Sequence, residues 1–152
     1  MKTFLTINIL LLFLSACSYD NAFSRFDISE QRAKSEESLI SSKIYDKKNI
    51  AGVINVVYLN AVNPEKYKDS EYFYIYLYAK KSEALISFTL NDINATSTQE
   101  LEANNDFTAL TDSNVSWKKY YLVRFEQQGT RLKLIANIAN LSSDAIIFSK
   151  DN

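Results

Sequence analysis

No histidine occurs in this chain of 152 residues, so a Ser-His-Asp triad, a histidine general base and a Cys/His zinc site are excluded within it. Cys17 is the only cysteine, so no internal disulfide can form and stability must come from packing. The only glycines, Gly52 and Gly129, stand far apart and cannot make a glycine-rich phosphate loop. Their scarcity also leaves most turns to Asn, Asp, Ser and Lys. No apolar run reaches the roughly 20 residues needed to cross a bilayer. Charge is nearly balanced, with 17 basic and 18 acidic side chains and a net charge of −1. Such a balance gives no global field to draw in nucleic acid or steer an acidic substrate. No metal or cofactor pattern appears, and a non-catalytic protein is expected.

What is present begins with Lys2 and an apolar run from Phe4 to Leu14, broken only by Thr6 and Asn8. That order is the layout of a secretory signal peptide. The following Leu14-Ser15-Ala16-Cys17 resembles the bacterial lipobox, where the signal is removed and the new N-terminal cysteine is acylated. The resemblance implies a signal peptide over 1–16, a lipidated Cys17 and a membrane partnership through acyl chains. Ser18 in place of Asp after that cysteine resembles the sorting context for the outer membrane. Residues 17–37 are polar and charged without an apolar stripe, which predicts a tether with at most a helical turn around 29–38.

From about residue 38 to 152 the text becomes short β-type runs between polar clusters, read as strands near 39–45, 50–61, 71–80, 83–90, 107–110, 117–127, 130–139 and 144–149. This spacing predicts one all-β domain, an antiparallel sandwich or barrel of about seven or eight strands. The run 50–61 is apolar on both faces and is expected to be central, stopping at Asn63-Pro64. Two hairpins are predicted. One turns at Lys81-Ser82 and pairs Ala79 with Ala84, Leu77 with Ile86, Ile75 with Phe88 and Phe73 with Leu90. The other turns at Gln128-Gly129 and pairs Phe125 with Leu132, Val123 with Leu134 and Tyr121 with Ala136, with Trp117 on the same inward face.

Three features are candidates for function. Tyr72, Tyr74, Tyr76 and Tyr78 alternate along the face opposite the expected core, a row roughly 20 Å long at strand rise. Tyrosine is frequent in binding surfaces, which makes the row a candidate face for a protein or glycan partner. It is equally a preferred strand residue, and another segment covering this face would make the row part of the interior. Asp92-Ile93-Asn94-Ala95-Thr96 and Asp112-Ser113-Asn114-Val115-Ser116 both fit Asn-x-Ser/Thr, marking Asn94 and Asn114 as candidate glycan acceptors in an exported protein. The acidic residue two positions earlier is similar to the stricter sequon of Campylobacter-type bacterial glycosylation. Finally, Glu100-x-Glu102 with Asp92 offers carboxylates at a spacing some glycosidases use. With no aromatic pattern beside them in the sequence, they read as solvated loop charges.

Lipobox, short alternating strands, absent disulfide and acidic-extended sequons together resemble the small lipoproteins of Campylobacter and its relatives. That resemblance implies an immunoglobulin-like β-sandwich, with Trp117 filling the core role, and a binding or assembly role in the cell envelope. The expected function is thus a membrane-anchored interaction module. The alternative is a periplasmic carrier or outer-membrane assembly factor that shelters an apolar ligand.

Overall fold

The computed structural model describes residues 22–80, 85–111 and 113–150, with side chains from Ile28 on. The expected signal peptide, Cys17 and the Lys81-Ser82 turn lie outside the described residues. Residues up to Glu30 and from Gln31 onward make two compact units, and the second holds every strand.

Helix α1 runs over Ala22–Ser38, replacing the expected tether with its single turn. Its second half carries strong helix formers (Ala33, Lys34, Glu36, Glu37), and Arg32 pairs with Glu36 one turn on at 3.3 Å. From Gln31 on, only Ser35 of this helix is buried, as the missing apolar stripe requires. No helix among the described residues is long and apolar enough to cross a membrane.

Ten strands follow among the described residues: β1 Leu39–Asp46, β2 Asn49–Tyr58, β3 Glu71–Ala79, β4 Ile86–Leu90, β5 Ile93–Asn94, β6 Ser97–Leu101, β7 Lys119–Phe125, β8 Arg131–Ile138, β9 Leu141–Ser143 and β10 Ile146–Ser149. Two helical turns interrupt them, α2 Leu59–Val62 and α3 Thr108–Thr111. The strands form one antiparallel sheet in the order β5-β4-β8-β9-β1-β2-β3-β7-β6, with β10 also pairing β8. The sheet curls into a half-barrel. Strands β4 and β7 stand far apart in its order, yet the rings of Phe88 and Tyr121 lie 5.5 Å apart across the interior. Residues 95–96 link the two ends of the sheet, Ala95 N–H donating to Phe88 O and Thr96 N–H to Arg124 O. The all-β, antiparallel expectation is met, but in place of the two-sheet immunoglobulin-like sandwich that the resemblance implied the strands form one continuous curled sheet.

Both predicted hairpins are corrected. β3 pairs with β2 and β7, not with β4; β8 pairs with β4, β9 and β10, not with β7. The inward positions within the strands nonetheless match the expected alternation. Phe73, Ile75, Leu77, Phe88, Leu90, Val123, Phe125, Leu132 and Leu134 all line the concave core. Alternation along a strand dictates which side chains point inward, but any apolar strand of matching pleat can sit alongside. Gly129 has no positive φ and open space around it, because the 126–130 segment crosses between strands instead of making a tight turn. Residues 108–111 are helical, not a strand, and β5, β6 and β9 were not anticipated.

Turn chemistry follows the shortage of glycine. The positive-φ positions are Lys47, Asn91, Asp92 and Ala139. Asn91 and Asp92, at φ 50 and 67, form the two-residue connection of the β4–β5 hairpin, the geometry that best matches strand twist. Gly52 is required for a different reason. β1 and β2 slip register there, with Ile44 opposite Gly52 and Tyr45 opposite Ile50, which leaves Ala51 as a bulge. A methyl on Gly52 would lie 2.2 Å from the Tyr78 carbonyl oxygen, so only glycine lets β3 approach.

Candidate functional site

The tyrosine row does not form a continuous surface. Tyr74 and Tyr76 are buried, Tyr72 is half-buried, and only Tyr78 is substantially exposed. The segment after β6 crosses the convex face and covers the middle of the row. Phe107 stacks on Tyr74 at 4.9 Å, Tyr120 stacks on both Tyr74 and Tyr76, and Asn105 Nδ2 donates to the Tyr74 hydroxyl at 3.4 Å. Leu59, Val62 and Tyr67 extend the same cluster. The convex face of β2, β3 and β7 is thus a second core, and Tyr74 and Tyr76 belong to it.

Burial leaves a chemical mark on these phenols. It pushes Tyr74 and Tyr121 up to about 12 and also raises Tyr76. Tyr58 is raised as well, first by burial and then by its hydrogen bond to the Glu71 carboxylate. Unfolded tyrosine ionises near 10, so the folded chain holds these protons where the unfolded chain releases them. Their contribution to stability is complete below about pH 10 and is lost as pH rises through about 12. In an ultraviolet titration, Tyr58, Tyr74, Tyr76 and Tyr121 should lag behind a denatured control and ionise together with loss of near-ultraviolet dichroism. Superimposable folded and denatured curves would contradict this burial.

The exposed end of the row is a different environment. Tyr78, at the end of β3, is 46% exposed, and Trp117, just before β7, is 60% exposed. Trp117 was expected to be a core residue. It sits instead in the turn Ser116–Lys118, outside the alternating part of β7. The two rings meet edge to face, 5.6 Å apart at 86°, and make an aromatic corner. Val53, itself 42% exposed, faces Tyr78 across the β2–β3 ladder and extends the apolar strip.

Beside this corner lies a groove of about 490 Å³ that also holds Glu100, Glu102, Lys118 and Lys119. Glu100 comes from β6, an edge strand too polar on both faces to show alternation, and Glu102 follows it directly. Lys119 Nζ pairs with Glu100 Oε1 at 2.6 Å. Lys118 Nζ lies 4.9 Å from the Tyr76 ring and 5.3 Å from the Trp117 ring, and donates to Ser113 Oγ at 3.0 Å. Glu100 and Glu102, which lack aromatic neighbours in the sequence, line one groove with Tyr78 and Trp117, whereas Asp92 lies apart in the β4–β5 turn and pairs with Lys133 at 3.4 Å. Sequence proximity could not show this, because Tyr78, Glu100 and Trp117 come from three separate segments.

Two grooves of similar size lie elsewhere, about 470 Å³ beside Asp46, Lys80 and Leu141 and about 500 Å³ beside Ile40, Tyr58 and Phe148. Volume does not separate the three. Exposure of large aromatic rings does, since Tyr58 and Phe148 are each only 6% exposed. The candidate glycan acceptors are both exposed: Asn94 on β5, and Asn114 in the loop leading to the groove. The Thr96 hydroxyl of the first sequon donates to Arg124 O at 2.9 Å. No family model, curated protein or solved structure matches this chain.

Proposed function

We propose that this chain is a cell-envelope lipoprotein, anchored at the outer membrane by acyl chains on Cys17, whose β domain is a non-catalytic binding module for a protein or glycan partner. The observation that carries the binding half is the exposed Tyr78–Trp117 corner. In a domain that buries Phe73, Tyr74, Phe88, Tyr120 and Phe125, two adjacent exposed rings beside polar groups have the composition of a contact surface. The anchoring half rests on the signal-like run and on Leu14-Ser15-Ala16-Cys17. Acyl chains contribute roughly 0.8 kcal/mol per buried methylene, which frees the domain from any anchoring duty. The carrier reading has less support, because Phe73, Phe88, Phe125 and Phe148 fill the concave side of the sheet that a sheltered ligand would need.

The test is envelope fractionation and crosslinked pull-down of the full chain, its Cys17→Ala form and a Tyr78→Ala/Trp117→Ala form. The parent should take up labelled palmitate and fractionate with the outer membrane, and Cys17→Ala should lose both properties. The double variant should stay lipidated but lose its crosslinked partner. An unlabelled parent chain sinks the anchoring half, and undiminished capture by the double variant sinks the binding half.

A further inference from the structure

We propose that the Tyr78–Trp117 groove binds a neutral saccharide whose pyranose rings carry equatorial hydroxyls. The inference rests on the binding-module reading and specifies its ligand. A pyranose of this type has two C–H-rich faces and a girdle of hydroxyls. It therefore needs an aromatic platform for a face and hydrogen-bonding groups beside it for the rim. The groove supplies both within about 490 Å³, inside the range of roughly 300–1,000 Å³ typical of small-ligand sites.

Charge narrows the ligand further. Glu100 and Glu102 balance Lys118 and Lys119, so the groove carries no net charge. Both lysines are already engaged, Lys119 by Glu100 and Lys118 by the Tyr76 ring and Ser113 Oγ. An anionic ligand would have to break those contacts before it gained any. Glu100 spends one oxygen on Lys119, and its other oxygen is free to accept from a sugar hydroxyl. A purely apolar or proline-rich partner would instead desolvate these carboxylates without replacing their hydrogen bonds. Lys118, held over the Trp117 ring, also restricts that ring before any ligand arrives, which lowers the ordering cost of binding.

Trp117 is the only tryptophan in the chain, so emission excited beyond the tyrosine absorption band reports on the groove alone. The full chain in detergent is titrated with chitotriose, cellotriose, a sulfated heparin disaccharide and a decaproline peptide. A saturable emission change with chitotriose or cellotriose is expected, and none with the sulfated disaccharide or decaproline. Tyr78→Ala should weaken that binding about three- to ten-fold while leaving the melting temperature near the parent's. No response to either neutral trisaccharide, or a stronger response to decaproline or the sulfated disaccharide, overturns the inference. If the double variant described above still loses its partner in that case, the binding-module reading stands and only the saccharide assignment falls.

Discussion

Glu71→Ala is expected to lower the stability of the domain by roughly 3–5 kcal/mol, the largest effect of any single charged residue described here. Glu71 opens β3 and is 1% exposed. One carboxylate oxygen accepts from the Tyr58 hydroxyl at 2.6 Å. The other accepts from the Gln128 backbone N–H at 2.9 Å and from the Lys150 ammonium, which also donates to Gln128 O at 2.8 Å. A single buried carboxylate thus joins the end of β2, the start of β3, the β7–β8 crossing and the residue after β10. Truncation leaves the buried Tyr58 hydroxyl and the half-buried Gln128 N–H without their acceptor, and a fully buried orphan costs about 1–3 kcal/mol. Lys150→Met should also be costly, because it leaves the Glu71 carboxylate, 1% exposed, without its counter-charge, held only by the Tyr58 and Gln128 donors. Chemical denaturation of the two variants is the check. Equal small losses would mean that the network is ornamental.

Tyr74→Ser is expected to be nearly as damaging, about 3–5 kcal/mol, as for other large aromatic truncations in a core. Tyr74 is 0% exposed and stacks between Phe107 and Tyr120. Trp117→Ala, by contrast, should change stability by less than about 1 kcal/mol, since the ring is 60% exposed and its neighbours are solvated. The pair separates structure from recognition within one apparent tyrosine-rich surface. A Tyr74→Ser protein that melts like its parent, or a Trp117→Ala protein that unfolds, would reverse the assignment of the two regions.

What could be read from the amino acids, and what could not, follows from the range of each interaction. Alternation is local, so the inward positions of Phe73, Ile75, Leu77, Val123 and Phe125 were legible. The dual apolar character of the 50–61 run placed β2 in the sheet interior, between β1 and β3. Pairing is non-local: β3 meets β7 across forty residues, and no local pattern distinguishes β7 from β4 as its neighbour. The covering of Tyr74 depends on Phe107 and Leu110 in a segment whose apolar spacing mimics a short strand. A large ring next to a strand reads as core, but Ser116 and Lys118 flank Trp117 in the turn that carries it outward. The groove itself was invisible, because it forms only when the ends of β3 and β6 meet the start of β7.

The binding-module reading stands or falls on contact at the Tyr78–Trp117 groove. Its most direct test places a photo-crosslinking amino acid at Ser116, inside the groove, and at Lys48, in the exposed β1–β2 turn, in the lipidated chain within native envelopes. A discrete adduct is expected from position 116 and none from position 48. Adducts of equal yield from both positions, or from position 48 alone, would contradict that reading.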